Sequence, residues 1–251
     1  MGSYEPVVAL MRGLEVLRCL NEQGPVSVGQ LHAHTGIAKP TIVRILETLA
    51  HTGYVQRCDD GRKYTVTAKV LTLANGYDAQ AQLLAVASPI LDAQRQTVGW
   101  PIELGVFDND AMVILNTSRK AGVLAINRKP GSRVPVLRTA LGRAYLAALA
   151  PAVLQDHLLK LAAQPGPDFE PARAKTELAT ILATARERGY AVADTETLSN
   201  GRALGCAIVH DSEPIASVNI VVHTSAMSRA ELEQRFGGVI QAIAAEISSA
   251  L

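Results

Sequence analysis

The sequence predicts an α+β protein in two parts: an N-terminal winged helix-turn-helix and, beyond a helical linker, a larger domain of antiparallel strands with helices segregated around them. Three observations predict it. Two short helical segments near the N-terminus meet at a tight Gly-containing connection, an Asp-Gly dipeptide then joins two β-rich runs, and further β-rich runs later in the chain are paired across polar turns.

Val8, Met11, Leu14, Leu17 and Leu20 recur at helical spacing and define an amphipathic first helix, stopped by Gly24-Pro25. Ser27 and Gln30 form a capping box, with Val26 and Leu31 placed for a hydrophobic staple, so a second helix starts at Val28. It closes near Thr35-Gly36, and Pro40 stands where a third helix begins. On that helix Ile42, Ile45, Leu46 and Leu49 form a packing stripe, whereas Thr41, Arg44 and Thr48 form a second, presented one. Tyr54–Arg57 and Lys63–Val66 flank Cys58-Asp59-Asp60-Gly61-Arg62 as a hairpin, a wing tipped by Arg62 and Lys63.

A helical linker follows over Ala68 to Thr97, with Gly76 and Ser88-Pro89 as expected bends or a restart. The boundary between the parts falls near Asp78, giving units of 1–78 and 79–251. In the second unit, strands are expected over Ile102–Phe107 and Met112–Thr117 around Asp108-Asn109-Asp110, then helices over 140–163 and 170–189. Strands over 203–210 and 215–223 are joined through Asp211–Pro214, and a last helix opens with the capping box Ser228 to Glu231.

Composition narrows the function. Of 251 residues 48% are hydrophobic and 19% charged, which excludes disorder. The 24 basic against 23 acidic side chains leave a net charge of +1, so a nucleic-acid site has to be local. It is: residues 39 to 69 carry six basic side chains against three acidic ones, whereas residues 79 to 251 balance at 16 of each. Aromatics at 4% supply little for a base-stacking surface. Cys19, Cys58 and Cys206 lie far apart with no CxxC pair, against a disulfide framework or a zinc site. With no signal-peptide pattern and no apolar run of ~20 residues, the expectation is a cytoplasmic protein without membrane contact.

Major-groove reading needs polar side chains near the N-terminal end of a helix and cations for phosphates, and Lys39, Thr41 and Arg44 meet that need. No GxSxG, GxxxxGK, GxGxxG or HExxH pattern is present, and Cys206 and His210 stand too far apart on a strand to form a nucleophile–base pair, so no catalytic residues, metal ligands or cofactor are assigned. Ser217 and Asn219 alternate with Ala216, Val218 and Ile220 on one strand face, which is either solvated, the commoner case, or lines a ligand cavity. Thr139 stands where a helix N-cap precedes Ala140-Leu141-Gly142, a terminus able to hold a carboxylate, although caps without ligands are commoner. The competing function is an enzyme or sensor that binds a small carboxylate without touching DNA.

Over nearly its whole length the chain resembles the IclR-type transcriptional regulators. The matching motifs are Gly36-Ile37-Ala38-Lys39-Pro40-Thr41-Ile42-Val43-Arg44-Ile45-Leu46, Gly53-Tyr54-Val55, and Gly131-Ser132-Arg133-Val134-Pro135 running to Thr139-Ala140-Leu141-Gly142-Arg143-Ala144. The resemblance implies a GAF-like effector domain behind the winged head, a homodimer or homotetramer, double-stranded operator DNA as partner and a small organic acid as effector. It implies DNA contacts at Lys39, Thr41, Ile42 and Arg44, with Arg62 and Lys63 on the wing, and a pocket at Thr139, Ala140, Leu141, Asp194, Leu204 and Asn219. Leu204 and Asn219 replace a frequent cysteine and serine of that pocket, which speaks against glyoxylate-like acids. Trp100-Pro101, Asp110-Ala111-Met112-Val113 and Ser225-Ala226-Met227-Ser228 resemble the subgroup governing catabolism of aromatic acids, with Leu141 and Leu204 suited to a ring and Asn219, Thr139 or Arg138 to its polar groups.

Overall fold

The computed structural model describes residues 5–58, 61–73, 80–118, 128–174, 176–197 and 200–251. The chain divides into two compact units, residues 1–79 and 80–251. The expected boundary at Asp78, Gly76 of the linker, and Asp59-Asp60 of the wing turn lie outside the described residues.

The first unit runs α1 (Val8–Gln23), β1 (Val26–Ser27), α2 (Val28–Thr35), α3 (Lys39–His51), β2 (Val55–Arg57), β3 (Lys63–Val66) and a 3₁₀ segment over Ala68–Leu73. The capping box forms: the Gln30 backbone N–H donates to Ser27 Oγ at 3.3 Å, and the Ser27 N–H donates to Gln30 Oε1 at 2.9 Å. Gly36 closes α2 in the left-handed conformation at φ 69°. β2 and β3 pair antiparallel as the wing, and the two-residue strand β1, absent from the sequence reading, adds to β3 through Val26↔Tyr64. Their core gathers Val16, Cys19, Leu20, Leu31, Ile42, Leu46, Val55 and Tyr64.

The stripe expected on α1 is only partly core. Leu20 is buried, but Val8, Met11 and Leu14 are 54–58% exposed, as are neighbouring Val7 and Leu10 at 66% and 61%; Val16 and Cys19 do the packing instead.

The second unit begins with α4 (Ala81–Val98), which runs through Pro89 without a break. Of the two readings of Ser88-Pro89, a bend or a restart, the restart is therefore excluded. Next come β4 (Ile102–Asp108), β5 (Ala111–Thr117), β6 (Arg133–Pro135), α5 (Ala140–Ala148), α6 (Pro151–Ala162), a 3₁₀ turn at Pro167–Phe169, α7 (Glu170–Arg173), α8 (Thr176–Arg188), β7 (Ala191–Asp194), β8 (Gly201–His210), β9 (Glu213–His223) and α9 (Arg229–Ser249). The helix expected over 140–163 is two helices, because Leu149 turns extended and Pro151 restarts the next one. That over 170–189 likewise divides into α7 and α8. The β8–β9 join is shorter than the expected four residues: Asp211 and Ser212, at φ 49° and 66°, make a two-residue turn, and Glu213 already pairs with His210.

The six strands form an antiparallel sheet in the order β6-β5-β4-β9-β8-β7. Alternation sends Ala216, Val218, Ile220 and Val222 of β9 into a core with α4 and α9, while a second core gathers side chains of β5, α5 and α8 on the opposite face. The N-terminus of α5 lies close against β8, and glycine is required there: a Cβ at Gly205 would collide with the Ala140 carbonyl.

Candidate functional site

In the first unit α3 shows two stripes. Ile42 and Leu46 are 0% exposed, while Lys39, Arg44 and Thr48 are exposed and Thr41 is half-buried. Ile42, which the resemblance counted among DNA contacts, is corrected here: its side chain is a core member and reaches no groove, in keeping with its place on the packing stripe. No side chain caps the N-terminus of α3, where Ala38 is the N-cap; Pro40 has no N–H, and the Thr41 N–H donates to the Ala38 carbonyl at 2.9 Å. Arg62 and Lys63 are exposed on the wing.

Two other cations of the basic segment serve the fold. The Arg57 guanidinium donates to Tyr64 Oη at 2.7 Å, and Lys69 Nζ donates to the Thr52 carbonyl at 2.7 Å while covering the Tyr54 ring. Lys69 thus supplies positive charge to the C-terminal end of α3.

In the second unit a pocket lies on the α5 face of the sheet. It is lined by Arg128, Thr139, Ala140, Ala193, Thr195, Glu196, Thr197, Gly201, Arg202, Ala203, Asn219 and Val221, and its volume of about 20 Å³ has room for about one water. The Ser217/Asn219 face is not solvated: both side chains are buried, at 0% and 1% exposed. Thr139 caps α5, accepting from the Gly142 N–H at 3.2 Å and donating to the Pro135 carbonyl at 2.7 Å.

The structure brings Thr139, Ala140 and Asn219 together on this pocket. Asp194 stands beside it, accepting from Arg202 Nε at 2.8 Å. Arg138 lies on a neighbouring cleft instead. Leu141 is fully buried in the α5–α8 core, and Leu204, paired with Ile220, faces the α4–α9 core on the far side of the sheet. Strand alternation makes Leu204 unable to share a pocket with Asn219, so its assignment as a ring contact is corrected.

Sequence reading missed the charged part of the site. Glu103 on β4, 0% exposed, accepts from Arg128 Nη1 at 3.1 Å and from Asn219 Nδ2 at 3.2 Å. Because a carboxylate can only accept, the Asn219 amide is oriented with its NH₂ toward Glu103. Its Oδ1, and Ser217 Oγ, are then buried with no hydrogen-bond partner among the described residues. Arg143 on α5 donates to Glu196 at 2.7 Å and to the Leu137 and Val192 carbonyls. A signal was present for Glu103, an acid between Ile102 and Leu104 in an otherwise apolar strand.

Among the described residues no cluster of His, Cys, Asp and Glu could hold a metal ion, and no helix is long and apolar enough to cross a membrane. Burial pushes the Cys206 thiol up to about 11, which leaves it protonated at neutral pH.

Comparison with known proteins agrees with the two-part architecture. Residues 9–59 match the IclR helix-turn-helix domain, and residues 76–249 match the bacterial transcriptional regulator IclR C-terminal family. The Pca regulon regulatory protein of Pseudomonas putida is 26% identical over 254 residues, covering 98% of this chain and 84% of that protein. Among solved structures, a putative transcriptional regulator from Rhodococcus superposes with a TM-score of 0.72 at 24% identity, over 98% of both chains. An IclR homolog complexed with 4-hydroxybenzoate from Microbacterium hydrocarbonoxydans reaches 0.72 at 20% identity, over 97% of this chain and 98% of that one. The chain belongs to the IclR family of bacterial transcriptional regulators, with a DNA-binding helix-turn-helix head and an effector-binding body.

Proposed function

We propose that this regulator controls a catabolic operon in response to a small hydroxylated aromatic acid, reading its operator as a homodimer. Lys39, Thr41 and Arg44 face the major groove, and Arg62 and Lys63 hold the phosphates beside it. The observation that carries the reading head is the division of α3 into a buried apolar stripe and an exposed one bearing Arg44. The dimer is supported by the unpacked apolar side chains Val7, Val8, Leu10, Met11 and Leu14 at the start of α1, a larger run than a solvated helix ordinarily carries.

The effector class rests on Asn219. Its buried Oδ1 accepts a hydrogen bond and lacks a donor among the described residues, so a ligand with a hydroxyl satisfies it and one without leaves it desolvated. The 4-hydroxybenzoate complex of the Microbacterium homolog points the same way. Binding rather than turnover is the role of this pocket, consistent with relatives that are regulators.

Two titrations test the reading. In gel shifts at several salt concentrations, Arg44→Ala weakens the cognate operator and relaxes base preference; unchanged affinity removes the assignment. In a thermal-shift series, 4-hydroxybenzoate raises the melting temperature more than benzoate does, because bound ligand stabilises the native state by mass action. Equal shifts, or none, remove the effector class.

A further inference from the structure

Three ion pairs surround the pocket: Arg128 with Glu103, Arg202 with Asp194, and Arg143 with Glu196. Each of these arginines is already matched by a carboxylate. An acidic ligand therefore needs either a resident carboxylate to leave or a cation that has none.

The three carboxylates differ in how readily they leave. The Glu103 side chain is 0% exposed and that of Asp194 29%, whereas Glu196 is 34% exposed and rejoins water with the least change in solvation. Thr195, next to it, holds φ 67°, a left-handed conformation that a β-branched residue seldom adopts. Glu196 also lines a second space. Beside the pocket lies a cleft of about 410 Å³, bounded by Arg138, Arg143, Pro171, Leu178, Ile181 and Glu196. That volume lies in the range of small-molecule sites, as the pocket's own 20 Å³ does not.

Arg143 stands behind Glu196 with its side chain 6% exposed, and the Leu137 and Val192 carbonyls hold its guanidinium independently of Glu196. Arg138, on the same cleft, makes no ion pair or side-chain hydrogen bond among the described residues. Two acids oppose an incoming anion, Glu170 and Glu177, but both are exposed, where water and salt screen them.

Building on the effector reading above, we propose that Glu196 is a resident substitute for the effector's carboxylate. The acid enters by the cleft, displaces Glu196 from Arg143 and makes the same charge-assisted contact there, and the departing side chain joins cleft and pocket so that the ligand's hydroxyl reaches Asn219. The exchange also reports itself. Glu196 accepts from the Asp194 backbone N–H, so its departure frees the end of β7, a contact present in one state and absent from the other.

Calorimetric titration of the full chain with 4-hydroxybenzoate and with neutral 4-hydroxybenzyl alcohol tests this. Glu196→Gln removes the competing charge, so it tightens the acid by about tenfold and alters the alcohol by less than about twofold. No tightening of the acid, or equal tightening of both compounds, overturns the exchange. A crystal structure of the wild-type complex gives an answer independent of how the variant folds: the ligand carboxylate sits on Arg143 with Glu196 turned to solvent, and Glu196 still seated on Arg143 overturns it. Wild-type protein that binds the acid with Glu196 in place loses the exchange alone. Failure of both compounds to bind either protein loses the aromatic-acid reading and the exchange together.

Discussion

The reading head and the ligand-binding body place their polar residues in opposite ways. On α3 the apolar side chains are buried and the polar ones face outward, so Arg44 is available because no described residue of the unit holds its side chain. In the body the polar side chains are themselves inside: Glu103, Arg143, Ser217 and Asn219 are buried, and all but Ser217 are held by ion pairs or hydrogen bonds. An outward face recognises a surface it meets as a rigid body. An inward one has to exchange existing contacts for those of its ligand, which is what lets ligand binding alter the domain.

That contrast can be broken at its root by exchanging the two stripes of α3. Ile42→Ala removes a fully buried side chain and costs about 2–5 kcal/mol of head stability, read in a denaturant titration. Operator binding is then lost through unfolding, whereas a side chain that read bases would change base preference with stability intact. Arg44→Ala does the reverse: about 1–3 kcal/mol of cognate affinity is lost with the melting curve of the head unmoved.

A smaller effect is expected on the body. Thr139→Ala removes the acceptor of the Gly142 N–H and costs about 0.5–2 kcal/mol of stability, while ligand-free operator affinity stays as it was. A change in ligand-free operator affinity would show that the two units share this helix end. The smallest is Lys63→Ala, which weakens all duplexes alike and lowers the salt slope by about 1. Sequence-dependent losses would instead make Lys63 a reader of bases.

The head was largely legible because its signals are local. Ser27 with Gln30 and Gly36 each act over a few residues, and the same holds for Thr139 and for Ser228 with Glu231 in the body. Where a local rule met a tertiary demand it failed. The helical stripe on α1 gave no sign that Val8, Met11 and Leu14 would be left outside the unit's core, and Ser88-Pro89 offered a restart where α4 runs on unbroken. Strands β1 and β6, two and three residues long, carry too few positions for alternation to register.

The pocket was legible only in part. Thr139 announces itself as a cap and Asn219 as a polar residue in an apolar strand, but their partners Glu103, Arg128, Glu196 and Arg202 come from separate stretches of the chain. Leu204 was misassigned for a related reason: its face is set by pairing with Ile220 on β9, and register between strands is not written in either strand alone.

From its residues alone this chain specified a winged reading head, an α+β body, the helix caps and the stripe that carries Arg44, since each follows from interactions between neighbours along the backbone. Tertiary structure alone decided that Ser217 and Asn219 face inward, that three arginines find three carboxylates around them, and that Glu196 stands between a small pocket and a larger cleft. Those outcomes depend on which strands pair and in what register, and that choice is made by burying the most apolar surface over the whole domain.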